Sequence, residues 1–425
     1  MKIAVIGAGW AGLAAAVVAL KNGHTALLFE ASHAVGGRAR SLKGEEHQFS
    51  LDNGQHILLG AYTQTLAMMG QVGVDTEQAM LSMTMRMQFP DGHGLCLPTW
   101  PMPFSLLWAG VMARGWSMAD KLSVLRTMTA WQWQGFACDD HVSVAEVCQS
   151  LTPKIRADLM EPLCVSALNT PIDRASGQVF LRVLHDALFG QPGCSRLLLP
   201  RMNLSRLFPT PALQWLKQNG GQCRLGSRLQ FLQQNQQKWR VFDEDFDAVI
   251  LATSASNTAK TLMQSAKFTT ETLANKMRSW ATLANTLSFE AIATVYAQFP
   301  GAALAQPMLA LRSGVMAPAQ FVFDKGQLGG PQGLLAFVVS ACQGTRESLQ
   351  AQVLLQAQTQ LGLTLQVVQT IVEKRATFSC TPGLQRPPQY IAPGLLACGD
   401  YVEGDYPATL EGAVRSAITA VAWLS

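Results

Sequence analysis

Within thirty residues, the apolar and polar positions of this chain set out its first elements. Lys2–Ile6 is a run of aliphatic residues of the length of one buried strand. Residues 10–22 continue as a helix-length block of small and aliphatic side chains, and Gly23 supplies its end. Thr25–Phe29 is a second apolar run, closed by Glu30. Read as one helix, residues 3–20 would span ~27 Å, long enough to suggest a secretory leader. Gly7, Gly9 and Gly12 argue against that reading. Each would cost about 1 kcal/mol relative to alanine inside a helix, whereas all three suit a turn between strand and helix.

The remaining pattern is coarser. Residues 51–60, "LDNGQHILLG", interrupt an apolar stretch with an acid, two amides, a glycine and a histidine. Asn53-Gly54 reads as a hairpin turn between "HQFSL" and "QHILL", or as a polar contact to a ligand. Residues 83–98 read as a hairpin turning at Pro90-Asp91-Gly92, and residues 101–190 as largely helical. Residues 221–256 predict a strand, a polar hairpin, a strand and then a buried strand over 247–252. Residues 286–298, 320–323, 334–340 and 364–375 predict further strands. Close to the other end, a buried strand over 395–398 runs into Gly399-Asp400, and an apolar-periodic helix starts at about Thr409 after Pro407. There is no internal repeat.

Gly7, Gly9 and Gly12 fit G-x-G-x-x-G between a strand and a helix, with an acid 18 residues beyond Gly12. Gly7 permits the turn, Gly9 lets a pyrophosphate reach the backbone, and Gly12 lets helix pack on strand. Phosphates would sit on the free N–H groups at the helix start, around Trp10 and Ala11. The helix dipole adds only ~0.3–1 kcal/mol, so direct hydrogen bonds provide most of the grip. Glu30 would accept hydrogen bonds from the ribose. "GGRARS" follows, where Gly36 and Gly37 allow a second close pass and Arg38 can lie beside phosphate oxygens. Asp400 can hold a ribityl hydroxyl or cap the last helix. The N–H groups near Ala408, Thr409 and Leu410 can face the electron-rich end of an isoalloxazine. "GQLGGPQG", residues 326–333, lacks a leading strand and a following helix, so no second, tightly held nucleotide is predicted. The expected cofactor is therefore FAD.

Hydrophobic residues make up 48% of the 425 and charged ones 14%, which is apolar for a soluble chain. The net charge of +4 disfavours nucleic acid as a partner and permits weak attraction to anionic lipid. Nine scattered cysteines without a C-x-x-C pair argue for reduced thiols in a cytoplasmic setting, with no disulfide framework and no metal site. Residues 98–136 concentrate Trp100, Trp108, Trp116, Trp131 and Trp133, with Arg114, Lys121 and Arg126 among few charges. This reads either as a core helix pair lining an apolar cavity or as a surface dipping into a bilayer. The surface it would meet is the cytoplasmic face of the inner membrane.

Taken together, the opening loop, "GGRARS" and "GDYVEGDYPATLEGAVRS" resemble the FAD-dependent amine oxidase and phytoene desaturase superfamily. "LDNGQHILLGAYT", "PLCVSALNTP" and "FSCTPGLQRP" narrow the resemblance to its squalene-associated branch, the hydroxysqualene dehydroxylases. The likeness runs from end to end. One departure is Ala417, where relatives often have glycine. The resemblance implies an α/β fold: a discontinuous Rossmann-like FAD domain (1–60, 196–265 and 385–425) and an amine-oxidase-like substrate domain of mixed sheet and helices (61–195 and 266–384). It places a backbone contact to adenine at Leu229, and implies that Asn53, Gly54 and Gln55 pass against the flavin. The implied reaction removes the hydroxyl of a large apolar isoprenoid with hydride from reduced flavin, which NADPH or a redox protein would reduce afresh. Candidates to protonate the leaving hydroxyl are His56, Asp52, Glu403, Asp405 and Tyr406. For His56, a ring satisfied by a neighbouring carbonyl is an equal expectation. The alternatives are a carotenoid desaturase or amine oxidase, and a non-catalytic escort of lipidated proteins.

Overall fold

A six-stranded sheet draws its strands from three distant parts of the chain. Its spatial order is Gln222–Arg224, Thr25–Phe29, Lys2–Ile6, Ala248–Leu251, Leu395–Ala397 and Tyr390–Ala392. The first five are parallel and the last is antiparallel. This computed structural model describes residues 1–42, 49–100, 104–301 and 303–424. The central strands are buried on both faces, as parallel strands covered by helices must be.

The helix Trp10–Lys21 has little polar face because it is enclosed on nearly every side. Leu13 and Val17 have no exposed surface, and burying each contributes roughly 1.5–3 kcal/mol. The helices Pro209–Gln218 and Leu410–Ala422 pack against it. Here Gly12 is obligatory: a β-carbon would lie 1.8 Å from the Gly7 carbonyl oxygen.

The helix Thr63–Gln71 also joins this core, through Met68 and Met69. Its start is held by Glu411, which is fully buried on the last helix. The Glu411 carboxylate accepts from the Gln64 and Thr65 amides at 3.1 and 2.9 Å, from the Thr65 hydroxyl at 2.8 Å, and from Arg415 Nε at 2.7 Å. Val72, Val74, Ala79 and Met80 share the same cluster. Side chains between Tyr62 and Met80 therefore contribute to the core beside the six-stranded sheet. The apolar side of the helix Thr63–Gln71 packs against the last helix, Leu410–Ala422.

A second sheet has the order Met308–Ala310, Phe321–Asp324, Leu334–Ser340, Phe289–Gln298 and Gln366–Phe378. A mixed sheet is expected from the sequence, but all of its pairings are antiparallel. Alternation along Phe289–Gln298 gives it two faces. Ala293, Val295 and Ala297 pack in one core with Leu349 and Val353 of the helix Arg346–Leu361. Thr294 and Tyr296 take the opposite face, towards residues 52–54.

Residues 104–189 are largely helical, with helices at Phe104–Met112, Met118–Trp133, Glu161–Leu168 and Gly177–Phe189. The hairpin Arg86–Gln88 with Gly94–Cys96 turns where Pro90-Asp91-Gly92 predicts. Asn53-Gly54 is not a hairpin turn. Leu51–Asp52 pairs with Ser41–Leu42, and Leu58–Leu59 pairs with Leu197–Leu198. His47 and Gln48, the start of that expected hairpin, lie outside the described residues, as do residues 101–103 of the tryptophan-rich stretch. All nine cysteines are free thiols, and burial pushes Cys148 and Cys398 up to about 12.

Glu411→Gln should lower stability by about 2 kcal/mol, because it weakens charge-assisted hydrogen bonds to a fully buried carboxylate. Urea denaturation would show a lower midpoint with an unchanged slope.

Candidate cofactor and active site

Two backbone segments pass each other at the start of the first helix. Gly9 and Gly36 form a parallel bridge, and the Gly36 amide donates to the Ala8 carbonyl at 2.7 Å. Gly37 has a φ of +61° and stands so close that a β-carbon on it would lie 3.1 Å from Gly9 Cα. A β-carbon on Gly9, by contrast, would meet no other protein atom closer than 3.9 Å. No side chain caps this helix, so the amides at Trp10, Ala11 and Gly12 are not spent on a cap. An uncapped, buried helix start beside three glycines fits a pyrophosphate.

Glu30 lies at the end of its strand. Its carboxylate accepts from the Ala8 and Ser32 amides at 2.7 and 2.8 Å, which leaves further lone pairs for ribose hydroxyls. The Ser227 amide donates to the Glu30 carbonyl at 2.8 Å and brings the segment of Leu229 to the same end. Leu229 is partly buried against the main core. These residues fit the adenosine half of FAD.

At the other half, Arg38 Nη2 donates to Asp400 Oδ1 at 2.5 Å, and Nη1 donates to the Ala376 carbonyl at 2.7 Å. Asp400 beside it raises the Arg38 pKa above its ordinary value, against the opposing effect of burial. This pair joins the N-terminal loop to the C-terminal segment, and single-residue reading did not anticipate it. Asp400 does not cap the last helix. Thr409 does, accepting from the Gly412 amide at 2.9 Å. The Ala408 amide donates to the Asp400 carbonyl at 3.0 Å, so of the three amides expected to face a ring this one is already engaged. Gly399 is required by crowding, since a β-carbon would lie 2.6 Å from the Tyr401 ring.

The stretch from Asp52 to His56 is held between these parts. Asn53 Nδ2 donates to the Arg38 carbonyl at 2.9 Å and to Glu373 Oε2 at 3.1 Å. A β-carbon on Gly54 would find only His56 Cε1 and Thr294 Oγ1, each at 3.9 Å. As with Gly9, the protein's own packing does not demand glycine here. A flat ring passing over the backbone would.

The structure separates the five candidate proton donors. Asp52 Oδ1 accepts from the Ser41 hydroxyl at 2.8 Å and the Leu204 amide at 2.9 Å, so this carboxylate ties loops together. His56 Nδ1 lies 2.9 Å from the Gly54 carbonyl, and burial lowers its pKa. With Nδ1–H donating there, Nε2 is an acceptor and the neutral ring is a poor acid. Glu403, Asp405 and Tyr406 line a cavity of ≈ 300 Å³ with Asp400, Arg386 and Arg415. Glu403 is exposed, and Asp405 is exposed and pairs with Arg182. Tyr406 donates to Asp186 at 2.8 Å, and burial raises its pKa. Arg38 connects this group to the Gly54 segment.

Sequence reasoning missed Lys325, which follows Phe321–Asp324 and donates through Nζ to Gln55 Oε1 at 3.0 Å. It also missed Thr294, whose buried hydroxyl has no hydrogen-bond partner. Alternation along Phe289–Gln298 could have put Thr294 on the inner face. Nothing local to Lys325 distinguishes it.

Known proteins resemble this chain. The pattern of the family described as flavin containing amine oxidoreductase matches residues 10–424. A hydroxysqualene dehydroxylase of Sinorhizobium fredii is 26% identical over 98% of this chain and 96% of its own length. A 15-cis-phytoene desaturase of an Oncidium hybrid is 27% identical over 55% of this chain and 42% of its own. Cyclohexylamine oxidase from Brevibacterium oxydans superimposes with a TM-score of 0.69 at 13% identity, covering 100% of this chain and 98% of that one.

Gly9→Ala separates folding from cofactor binding, because the added methyl has room in the protein but occupies phosphate space. The variant should purify folded and colourless. An absorption spectrum retaining the flavin bands at full occupancy would refute the phosphate contact.

Proposed function

The chain belongs to the flavin containing amine oxidoreductase family, and within it we propose a reductive dehydroxylase that converts hydroxysqualene to squalene. It is a flavin-dependent oxidoreductase, and its cofactor is FAD. The observation that carries the finer reading is end-to-end likeness to a hydroxysqualene dehydroxylase, where the desaturase likeness spans about half of the chain.

In its reduced form the bound cofactor supplies a hydride. This chain's residues do the remaining work. Backbone amides at residues 10–12 hold the pyrophosphate, Glu30 and the Leu229 segment hold the adenosine, and Arg38 with Asp400 fixes the ribityl end. Asn53 and Gly54 set the distance between backbone and ring. Departure of an allylic hydroxyl leaves a delocalised cation, so this face must exclude water. Tyr296 supports that: it is fully buried and locks its hydroxyl on the Asp52 carbonyl at 3.0 Å. An electron donor, NADPH or a redox protein, binds transiently to renew the reduced state. The functional units are proposed as 1–80, 196–265 and 385–425 for the cofactor, and 81–195 with 266–384 for the substrate.

A bilayer contact follows from the first long helix of the substrate unit. Along Phe104–Met112 the large apolar residues face outward at i, i+3, i+4, i+7 and i+8: Phe104, Leu107, Trp108, Val111 and Met112. Ser105 and Ala109 face inward. Phe104 is 66% exposed, Met118 79% and Trp133 89%. Lys121 reaches this helix, donating through Nζ to the Val111 carbonyl at 2.6 Å, exposed Arg114 follows it in the chain, and the neighbouring acid, Asp120, is buried in a helix cap. An apolar stripe edged with cations suits an anionic lipid surface. Among the described residues no helix is long and apolar enough to cross a membrane, so the contact would be peripheral.

Chemically reduced enzyme, incubated without oxygen with hydroxysqualene, should yield squalene in one turnover. Absence of squalene by mass spectrometry refutes the reaction. Bleaching of oxidised enzyme by a carotenoid or amine would favour the opposite redox direction. Changing Phe104, Leu107 and Val111 together to glutamate should abolish sedimentation with phosphatidylglycerol vesicles and leave flavin content unchanged. Undiminished sedimentation would rule out this surface.

A further inference from the structure

Resting on the dehydroxylase reading, the geometry points to Lys325 as the group that protonates the departing hydroxyl, with Thr294 as the second polar contact for that oxygen. Lys325 is fixed at the end of the antiparallel sheet by its amide, which donates to the Leu334 carbonyl at 2.9 Å. Its side chain reaches Gln55, the residue after Gly54. An ammonium carries three donors. Among the described residues, the Gln55 amide oxygen is its one hydrogen-bond acceptor, and it forms no ion pair.

The charged groups around it are already committed. Asp52 is held by Ser41 and Leu204. Asp324 accepts from the Leu304 and Gly326 amides, each at 3.0 Å, and from Gln327 Nε2 at 2.9 Å. Glu373 receives Asn53, Arg38 faces Asp400, and His56 is bound to the Gly54 carbonyl. Thr294 is 1% exposed, and among the described residues its hydroxyl finds no partner. A buried hydroxyl and a part-buried ammonium with two spare donors thus border one glycine-containing strip. Unsatisfied polar groups at such density are costly unless a ligand's polar atom meets them. A hydroxyl on a long hydrocarbon is such an atom.

Burial pulls the Lys325 pKa down, and the Asp52 charge opposes this with smaller effect. The ammonium therefore releases its proton more readily than an exposed lysine. The proton passes from Nζ to the hydroxyl oxygen. The C–O bond breaks with its electron pair going to oxygen, water leaves, and the allylic cation takes the hydride supplied by reduced flavin. The neutral amine regains its proton from solvent between turnovers.

The test uses chemically reduced holoenzyme in anaerobic single turnovers, with hydroxysqualene and with its acetate ester, whose leaving carboxylate needs no proton. Lys325→Met should slow the alcohol by about 100-fold or more and the ester by less than about 3-fold. Lys325→Arg should behave alike, because a guanidinium keeps its proton. The alcohol rate of the wild type should fall as pH rises through the Lys325 pKa, since the neutral amine cannot donate. That pKa is read independently from the 13Cε resonance of labelled lysine, assigned by its loss in Lys325→Met, and should lie below the ordinary ~10.4. Equal losses on both substrates, no loss on the alcohol, or an ordinary lysine titration would each overturn the assignment. Wild-type enzyme that makes no squalene would sink the dehydroxylase reading and this inference with it. Wild-type turnover with an unimpaired Lys325→Met sinks only the role of Lys325.

Discussion

Everything in this site depends on two backbone segments meeting without β-carbons. Gly9 lies against Gly36 and Gly37, and the helix behind Gly9 begins without a cap. Buried amide groups must find acceptors. An anion laid in the cradle meets that demand at the point where chain packing leaves room for it. The sheet then fixes where the anion's two ends go. Glu30 and the segment of Leu229 lie beyond neighbouring strand ends, while Arg38 and Asp400 join the opening loop to the closing segment.

The second constraint is the double duty of Phe289–Gln298. One face supplies small aliphatic residues to the core under the helix Arg346–Leu361, and the other presents Thr294 and Tyr296 to the cofactor strip. A register slip of one residue would exchange the two sets and destroy both core and site. The same sheet ends at Lys325, so its pairing with Leu334–Ser340 also sets how far the ammonium reaches.

Much of this is legible in the sequence. The first strand, helix and second strand are separated by glycines whose spacing has one good structural explanation, and the hairpin at Pro90-Asp91-Gly92 carries its own turn chemistry. Other features depend on packing across the chain. Asn53-Gly54 has the local chemistry of a hairpin, yet its flanking strands pair with residues 41–42 and 197–198, more than a hundred residues away in the second case. The acids chosen as proton donors share a stretch with the expected ring, but Asp52 and Asp405 are drawn off by partners that linear order does not reveal. Lys325 is the converse: an ordinary lysine in sequence, unusual only because folding half-buries it beside Gln55.

The tryptophan-rich stretch was open to two readings, and the structure divides its residues between them. Trp131 is buried, whereas Trp100, Trp108 and Trp133 are exposed, and Trp108 belongs to the outward stripe of Phe104–Met112.

FAD bound in the glycine cradle would shield its backbone amides, and amide hydrogen exchange reads that shielding. Between flavin-free and flavin-loaded protein, exchange should slow at residues 8–12 and 36–38. Unchanged exchange there, with protection appearing elsewhere, would contradict that placement.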